Sequence, residues 1–324
     1  VTVKAIVLGD VDLDGDVDAI GITSQAATLT DRDRDGDPDL LIITNAFEGA
    51  VATAFLNHTG GPDPLWDRDV APEVHADVAL VAMGVDSGDL NGDGAFDYCA
   101  SDLGPPTCLM SDGVGGYFNG GAAAGLSPDS YPYSSPSMSG WSMDFADVDA
   151  DGNLDVLHAS RWDRYSWELG QPDHPDLLWM GLGDGLFDDA SVAVGWDDVE
   201  AHYGMAVGDV DGDGFVDAVL AGPWNPPRLQ RNRCGTNAWL EVVLSGGTRN
   251  TTGIGAIVEA HLPDGRVLFR EVLGPRAQGQ GPGRVHFGLG DVEVVDRLVV
   301  RWPDSTPTEL EDVPVRRRIR AFGR

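Results

Sequence analysis

Three observations predict an all-β fold: a nine-residue acidic turn that recurs five times, short apolar segments after every copy, and a C-terminal stretch of alternating apolar and polar residues. With 324 residues, 42% of them hydrophobic, the chain is long enough to bury a core and to hold two domains.

The acidic turn reads D-x-[DN]-x-[DN]-G-x-x-D. It occurs at 10–18 (DVDLDGDVD), 31–39 (DRDRDGDPD), 89–97 (DLNGDGAFD), 147–155 (DVDADGNLD) and 209–217 (DVDGDGFVD). In the fourth copy Asp147, Asp149, Asp151 and Asp155 crowd together with no lysine or arginine between them, so their repulsion opposes folding unless a cation sits among them. Side chains at positions 1, 3 and 5 converge only if the backbone curls, and Gly152 at position 6 permits the positive φ that completes the curl. Hard oxygen donors in a small flexible ring suit calcium, which takes about 6 to 8 of them.

The predicted ligands are therefore Asp10, Asp12, Asp14, the Asp16 carbonyl and Asp18; Asp31, Asp33, Asp35, the Asp37 carbonyl and Asp39; and Asp89, Asn91, Asp93, the Ala95 carbonyl and Asp97. The last two copies supply Asp147, Asp149, Asp151, the Asn153 carbonyl and Asp155, then Asp209, Asp211, Asp213, the Phe215 carbonyl and Asp217. That makes about five calcium ions. Arg32 and Arg34 in the second copy must point away from the metal.

An EF-hand is excluded, because position 12 is Gly21, Ile42, Ala100, His158 or Leu220 rather than a bidentate glutamate. Each turn leads instead into a short apolar segment: AIGIT, LLIITN, YCASDL, VLHAS and AVLAG read as strands. Position 8, occupied by Val17, Pro38, Phe96, Leu154 and Val216, is expected to plug each turn onto a core.

Spacing turns the copies into an architecture. Successive first ligands are 21, 58, 58 and 62 residues apart, and each long step has room for four short strands. A unit of that size cannot bury its apolar face alone, so radial stacking of four-stranded sheets, a β-propeller of calcium-loop repeats, is predicted for residues 1–234. Glycine-rich turns near 57, 111 and 181 follow the middle strands, with Phe118 and Phe187 expected to pack between blades. The first step is too short for a full blade. Residues 1–30 either complete a blade elsewhere, most simply beside 218–232 to close the ring, or are what remains of one.

Beyond residue 235 the acidic turns stop and strands alternate as far as VRRRIRAF, predicting a small β-sandwich-like domain over 235–324 with a hairpin turned by Pro263, Asp264 and Gly265. Arg316, Arg317, Arg318 and Arg320 are expected on an edge strand or against the acidic propeller. Cys99 and Cys108 either form a disulfide or are two buried thiols, and Cys234 has no third partner.

A formal charge of -32 disfavours nucleic acid and anionic membranes, and no run of 18 apolar residues offers a membrane span. The five turns hold 21 of the 53 acidic residues, so much of this charge belongs to metal binding. Such sites fill where calcium is millimolar, which predicts a secreted, cell-surface or periplasmic protein. No signal-peptide pattern follows Val1, an absence that does not exclude secretion. A monomer is expected.

The segment YGMAVGDVDGDGFVDAVLAG (203–222) resembles an FG-GAP or VCBS repeat, the calcium-loop blade also found in integrin α-subunit propellers. NAWLEVVLSG, RNTTGIGAIV, VHFGLG and VVRWPD resemble the ASPIC/UnbV domain, although WPD followed by Ser305 stands where that family tends to have tryptophan, proline and glycine, which implies a slightly altered turn. The resemblance implies calcium in the turns and a secreted or surface setting, and it implies no settled catalytic residues.

No G-x-S-x-G, H-E-x-x-H, dinucleotide fingerprint or P-loop is present. HASRWDRYSWELG (158–170) can stack on and hydrogen-bond a sugar or other polar ligand, which makes His158, Arg161, Trp162 and, before the fifth turn, His202 the candidate ligand residues. Two functions are open: an interaction module for a protein or glycan, or a calcium-containing enzyme acting on a carbohydrate or secondary metabolite.

Overall fold

The structure, a computed structural model, describes residues 5–11, 16–22, 26–43, 53–58, 66–127, 139–161, 175–233, 235–247, 250–274, 279–280, 283–303 and 306–323. Five sheets form a five-bladed propeller. Blade 1 is β1 (Ala5–Gly9) and β2 (Asp18–Ile22). Blade 2 is β3 (Ala26–Thr30), β4 (Asp39–Ile43), β5 (Thr53–His58) and β6 (Trp66–Asp69). Blade 3 is β7 (Val85–Gly88), β8 (Asp97–Asp102), β9 (Gly104–Ser111) and β10 (Tyr117–Asn119). Blade 4 is β11 (Ser139–Ala146), β12 (Asp155–Arg161), β13 (Leu177–Gly183) and β14 (Leu186–Asp189). Blade 5 begins with β15 (Gly204–Gly208), β16 (Asp217–Ala221) and β17 (Arg228–Gln230). The first strands, β1, β3, β7, β11 and β15, pack one beside the next.

Each acidic turn joins the first strand of its blade to the second. The last residue pair of every such hairpin ends on the ninth residue of the turn: Gly9 faces Asp18, Thr30 faces Asp39, Gly88 faces Asp97, Ala146 faces Asp155 and Gly208 faces Asp217. All five turns therefore project from the same end of the strands.

Blade contacts follow the two-residue period of a strand. In β12, Val156 packs with Cys99, Cys108 and Leu126 of blade 3, whereas Leu157 and Ala159 pack with Met205, Val216 and Leu220 of blade 5. Phe96, Leu154 and Val216 plug their turns onto buried cores as expected, and Val17 and Pro38 stay half-buried. Phe187 is buried between blades, but Phe118 is exposed, because its place on the three-residue outer strand β10 turns it to solvent. Cys99 and Cys108, opposite each other on β8 and β9, form a disulfide. Cys234 lies outside the described residues.

The first residues form a blade of their own. Among the described residues β1 pairs with β2 over five positions and packs on β3, so the segment does not add strands beside 218–232.

The C-terminal part contains β18 (Ala238–Ser245), β19 (Ile257–His261), β20 (Val267–Glu271), β21 (Gly279–Gln280), β22 (Arg284–Gly290), β23 (Val294–Arg301), β24 (Thr308–Pro314) and β25 (Arg317–Phe322). Two sheets, in the orders β22-β18-β25 and β20-β19-β23-β24, enclose a core that includes Leu240, Val258, Phe287, Leu298 and Trp302. Gly265, with φ of 91°, turns the β19–β20 hairpin at the expected place. β25 is an edge strand, parallel to β18, and Arg318 reaches both Glu241 and Asp209 of the fifth turn. The expected boundary at 234/235 falls between β17 and β18, yet β21 returns to the propeller and pairs in parallel with β15, giving blade 5 the order β17-β16-β15-β21.

Candidate metal centres

The five turns share one hydrogen-bond scheme. The N–H of position 2 donates to the aspartate at position 9 in every copy: Val11 to Asp18 (3.1 Å), Arg32 to Asp39 (3.1 Å), Leu90 to Asp97 (2.7 Å), Val148 to Asp155 (2.7 Å) and Val210 to Asp217 (2.9 Å). The glycine at position 6 donates to position 1 in four of them, Gly36 to Asp31, Gly94 to Asp89, Gly152 to Asp147 and Gly214 to Asp209, at 2.9 to 3.2 Å. Those glycines have φ of 94°, 85°, 104° and 96°, the positive-φ conformation that lets each turn curl back on its position-1 carboxylate. The second oxygen of position 9 ties the turn to the third strand of its blade or the segment just after it, Asp97 accepting from Ser111 N–H, Asp155 from Gly181 N–H and Asp217 from Asn232 N–H.

Carboxylate oxygens of Asp31, Asp33 and Asp35 lie within 4.8 Å of one another, as do those of Asp147, Asp149 and Asp155 and those of Asp209, Asp211 and Asp217. These groups can hold metal ions. In the third turn Asn91 replaces one carboxylate and accepts from Asp93 N–H at 3.0 Å. Asp12 and Asp14 of the first turn lie outside the described residues, while Asp10 is buried and Asp16 exposed. A cation fits what the turns lack: Oδ1 of Asp31 and Oδ1 of Asp89 are buried with no hydrogen-bond partner. Burial, helped by neighbouring carboxylates, pushes Asp31 up to about 6. Burial is the main cause that lifts Asp147 to about 7, the Arg270 guanidinium working against it, and Asp97 also reaches about 7 mainly through burial. A bound cation would favour these groups as carboxylates.

The second turn corrects one expectation. Arg34 does point away, its guanidinium 4.3 Å from the centre of the Phe269 ring, but Arg32 lies on Asp33 at 3.0 Å and approaches Asp39 at 4.0 Å. Its side chain folds back because two carboxylates on its own turn are the nearest counter-charges.

The C-terminal sheets sit directly over this end. Glu271 accepts from Thr30 Oγ1 (2.9 Å) and Asp31 N–H (3.1 Å), Gly290 N–H donates to the Ala150 carbonyl (2.8 Å), and His286 Nε2 meets the Gly214 carbonyl (2.9 Å). Contact is close enough that a Cβ on Gly288 would fall 2.1 Å from Asp147 Oδ2, and one on Gly214 1.8 Å from the Trp239 ring. Arg270 is inserted above the turns, its charge interacting with Asp147, Asp89 and Asp155. Nothing in the alternating pattern of β20 set Arg270 or Glu271 apart in the sequence.

The opposite end of the strands is different in kind. Trp141, at the start of β11, stacks on Tyr203, just before β15, with ring centres 4.4 Å apart, and Trp224 meets Tyr203 edge-on at 5.8 Å. Trp224 is 65% exposed. His202 is wholly buried, and its Nδ1 lies 2.6 Å from Asp176 Oδ2. Burial works against a charged ring there, but the bond to Asp176 together with the charges of Asp176, Asp198 and Glu200 outweighs it, holding His202 above its ordinary value. His158, also wholly buried, packs edge-on to Trp179 with neither ring nitrogen hydrogen-bonded, and burial lowers it to about 4. No hydrogen bond joins the two histidines. Arg161 ends β12, and Trp162 lies outside the described residues. Asp176 was invisible in the sequence, since 26 residues separate it from His202.

Among the described residues no helix is long and apolar enough to cross a membrane. No curated protein matches the chain. Among solved structures, a lectin of Agrocybe aegerita that specifically recognises non-reducing terminal N-acetylglucosamine is 13% identical over 75% of this chain and 71% of its own, with a TM-score of 0.37. BBS1N, solved in complex with ARL6DN, is 10% identical over 90% and 80%, with a TM-score of 0.41. The V. cholerae biofilm matrix protein Bap1 is 12% identical over 95% and 55%, with a TM-score of 0.33. In the C-terminal sheets the match is one of sequence family: residues 246–321 fit the model of the family described as ASPIC and UnbV.

Proposed function

We propose that the protein is a calcium-stabilised interaction module built on FG-GAP or VCBS type repeats, working outside the cell or in the periplasm, and that it binds a glycan at the end of the propeller away from the acidic turns. The observation that carries this reading is the aromatic ledge of Trp141, Tyr203 and Trp224, half-buried at one side and 65% exposed at Trp224. A rigid aromatic face takes the apolar face of a sugar ring at little entropic cost, and the half-exposed Glu200 and Arg228, on the segments that carry Tyr203 and Trp224, offer hydrogen bonds to hydroxyls. Calcium is the ion that all-oxygen turns of this size favour, and it serves the fold rather than the ligand, because the C-terminal sheets cover the turns.

Binding to an immobilised glycan panel in millimolar calcium tests this. Trp224→Ala is expected to weaken the best ligand at least tenfold with an unchanged melting point, and a folded wild-type protein that retains no glycan overturns the reading. The His202–Asp176 pair at 2.6 Å favours a second reading, an enzyme acting on a carbohydrate. Turnover of a bound glycan that disappears in folded His202→Gln supports that reading, and binding without turnover removes it.

A further inference from the structure

We propose that Asp198, Glu200 and His202 form a site for one zinc-class divalent cation, separate from the acidic turns; it shares Glu200 and Arg228 with the glycan reading, and its test reads metal uptake without any glycan. The three residues alternate along the segment that leads into β15. One oxygen of each carboxylate and a ring nitrogen of His202 lie within 4.8 Å of one another. The donor set is one imidazole and two carboxylates, which suits zinc, whereas the acidic turns offer oxygen alone and suit calcium.

The second observation is the state of the imidazole. His202 is wholly buried, and its Nδ1 is committed to Asp176 Oδ2 at 2.6 Å. Asp176 is itself buried and fixed by the Ser160 N–H, which donates to its other oxygen at 2.8 Å. His202 Nε2 is left buried with no hydrogen-bond partner. A carboxylate holding one ring nitrogen while the other stands open is how proteins fix the tautomer and orientation of a metal-ligating histidine, and it makes Asp176 the positioning residue. His158 provides the contrast: equally buried, it faces Trp179, with no carboxylate on either nitrogen, and belongs to the packing.

Arg228 supplies the charge at this site in the structure. Its guanidinium reaches Asp198 at 2.5 Å and Glu200 at 3.1 Å, and at 46% side-chain exposure it is free to swing outward. Asp176, Asp198 and Glu200 bring three carboxylates against that one guanidinium, so a dication is electrostatically admissible.

The test uses the full chain in a Cys234→Ser background, which removes an adventitious thiolate, with millimolar calcium saturating the turns. Zinc is titrated calorimetrically, and cobalt by its visible absorption. The expected result is one saturable equivalent beyond calcium, lost in His202→Gln and Glu200→Gln, at least tenfold weaker in Asp176→Asn, and tighter in Arg228→Met. Circular dichroism checks the fold of each variant. If His202→Gln does not fold, Glu200→Gln decides, because Glu200 is half-exposed and contributes little to packing. Absence of saturable uptake in both the wild type and Arg228→Met, or uptake unchanged by Glu200→Gln, overturns the proposal and leaves Asp198, Glu200 and Arg228 as an ion-pair network.

Discussion

The two ends of the propeller are built from the same strands and obey different rules. At the turn end every blade repeats one scheme, in which the aspartate at position 9 accepts the N–H of position 2 in all five copies. At the far end no such scheme repeats among the described residues: blade 4 contributes Trp141 and Asp176, blade 5 Tyr203, His202 and Trp224. The turn end solves a problem common to all blades, the closing of a hairpin against buried backbone groups. The far end is free of that demand, so its side chains can differ from blade to blade, which is where ligand recognition can reside.

The largest way to break this contrast is to withdraw calcium from the proposed sites. Moving from millimolar calcium to excess chelator is expected to lower the melting point by many degrees, since each site held at a hundredfold its Kd contributes about 2.7 kcal/mol. Trp224→Ala should show the same drop as the wild type. An unchanged midpoint in chelator breaks the assignment of the turns.

Next in size is crowding at the turn end. Gly214→Ala combines a positive φ of 96° with a Cβ placed 1.8 Å from the Trp239 ring, so a loss of about 3 kcal/mol is expected in urea unfolding. Gly36→Ala, with a φ of 94° and nothing within 4 Å of its Cβ, should lose only about 1 to 2 kcal/mol. Equal losses would mean that Trp239 does not press on the fifth turn.

A smaller effect belongs to the far half of blade 4. Burial lowers His158 to about 4, below its unfolded value of about 6.5, so the unfolded chain binds the extra proton first. The contribution is therefore present above pH 6.5 and lost as pH falls toward 4, reaching about 2 kcal/mol at pH 5. His158→Leu should flatten that part of the stability–pH curve measured by chemical unfolding, and an unaltered slope would show that the ring does not titrate there.

The smallest expected effect is on the stability of Trp224→Ala. An exposed side chain of this kind changes unfolding free energy by no more than about 0.5 kcal/mol. A larger loss would make the ledge part of the fold and not a surface for ligands.

Legibility in the sequence depends on distance along the chain. The expected ligands of each acidic turn sit within nine residues, so spacing could point to the carboxylates that gather in the second, fourth and fifth turns, and the strands after the turns were evident from apolar runs. The hairpin at Pro263 to Gly265 and the pairing of Cys99 with Cys108 are also local. Arg32 misled because sequence records its presence but not the direction of a long side chain. His202 was noticed without the partner that defines it, since Asp176 reaches it only through the packing of blade 4 on blade 5. The ledge was missed because Trp141, Tyr203 and Trp224 are far apart in sequence, and isolated aromatics more often fill cores.

The pairing of β21 with β15 sets the order in which the molecule can be made. Blade 5 lacks its fourth strand until residues 279–280 have left the ribosome, some seventy residues after β15 itself. A nascent chain ending near 234 thus carries β15 with a bare edge, open to any other strand in reach. A fragment of residues 1–234 is expected to associate in size-exclusion chromatography where the full chain does not, and a monodisperse fragment would show that the ring finishes without its C-terminal strand. Completion of blade 5 therefore waits on the C-terminal part of the molecule: a two-residue strand made some seventy residues after β15 covers the edge that β15 would otherwise leave open.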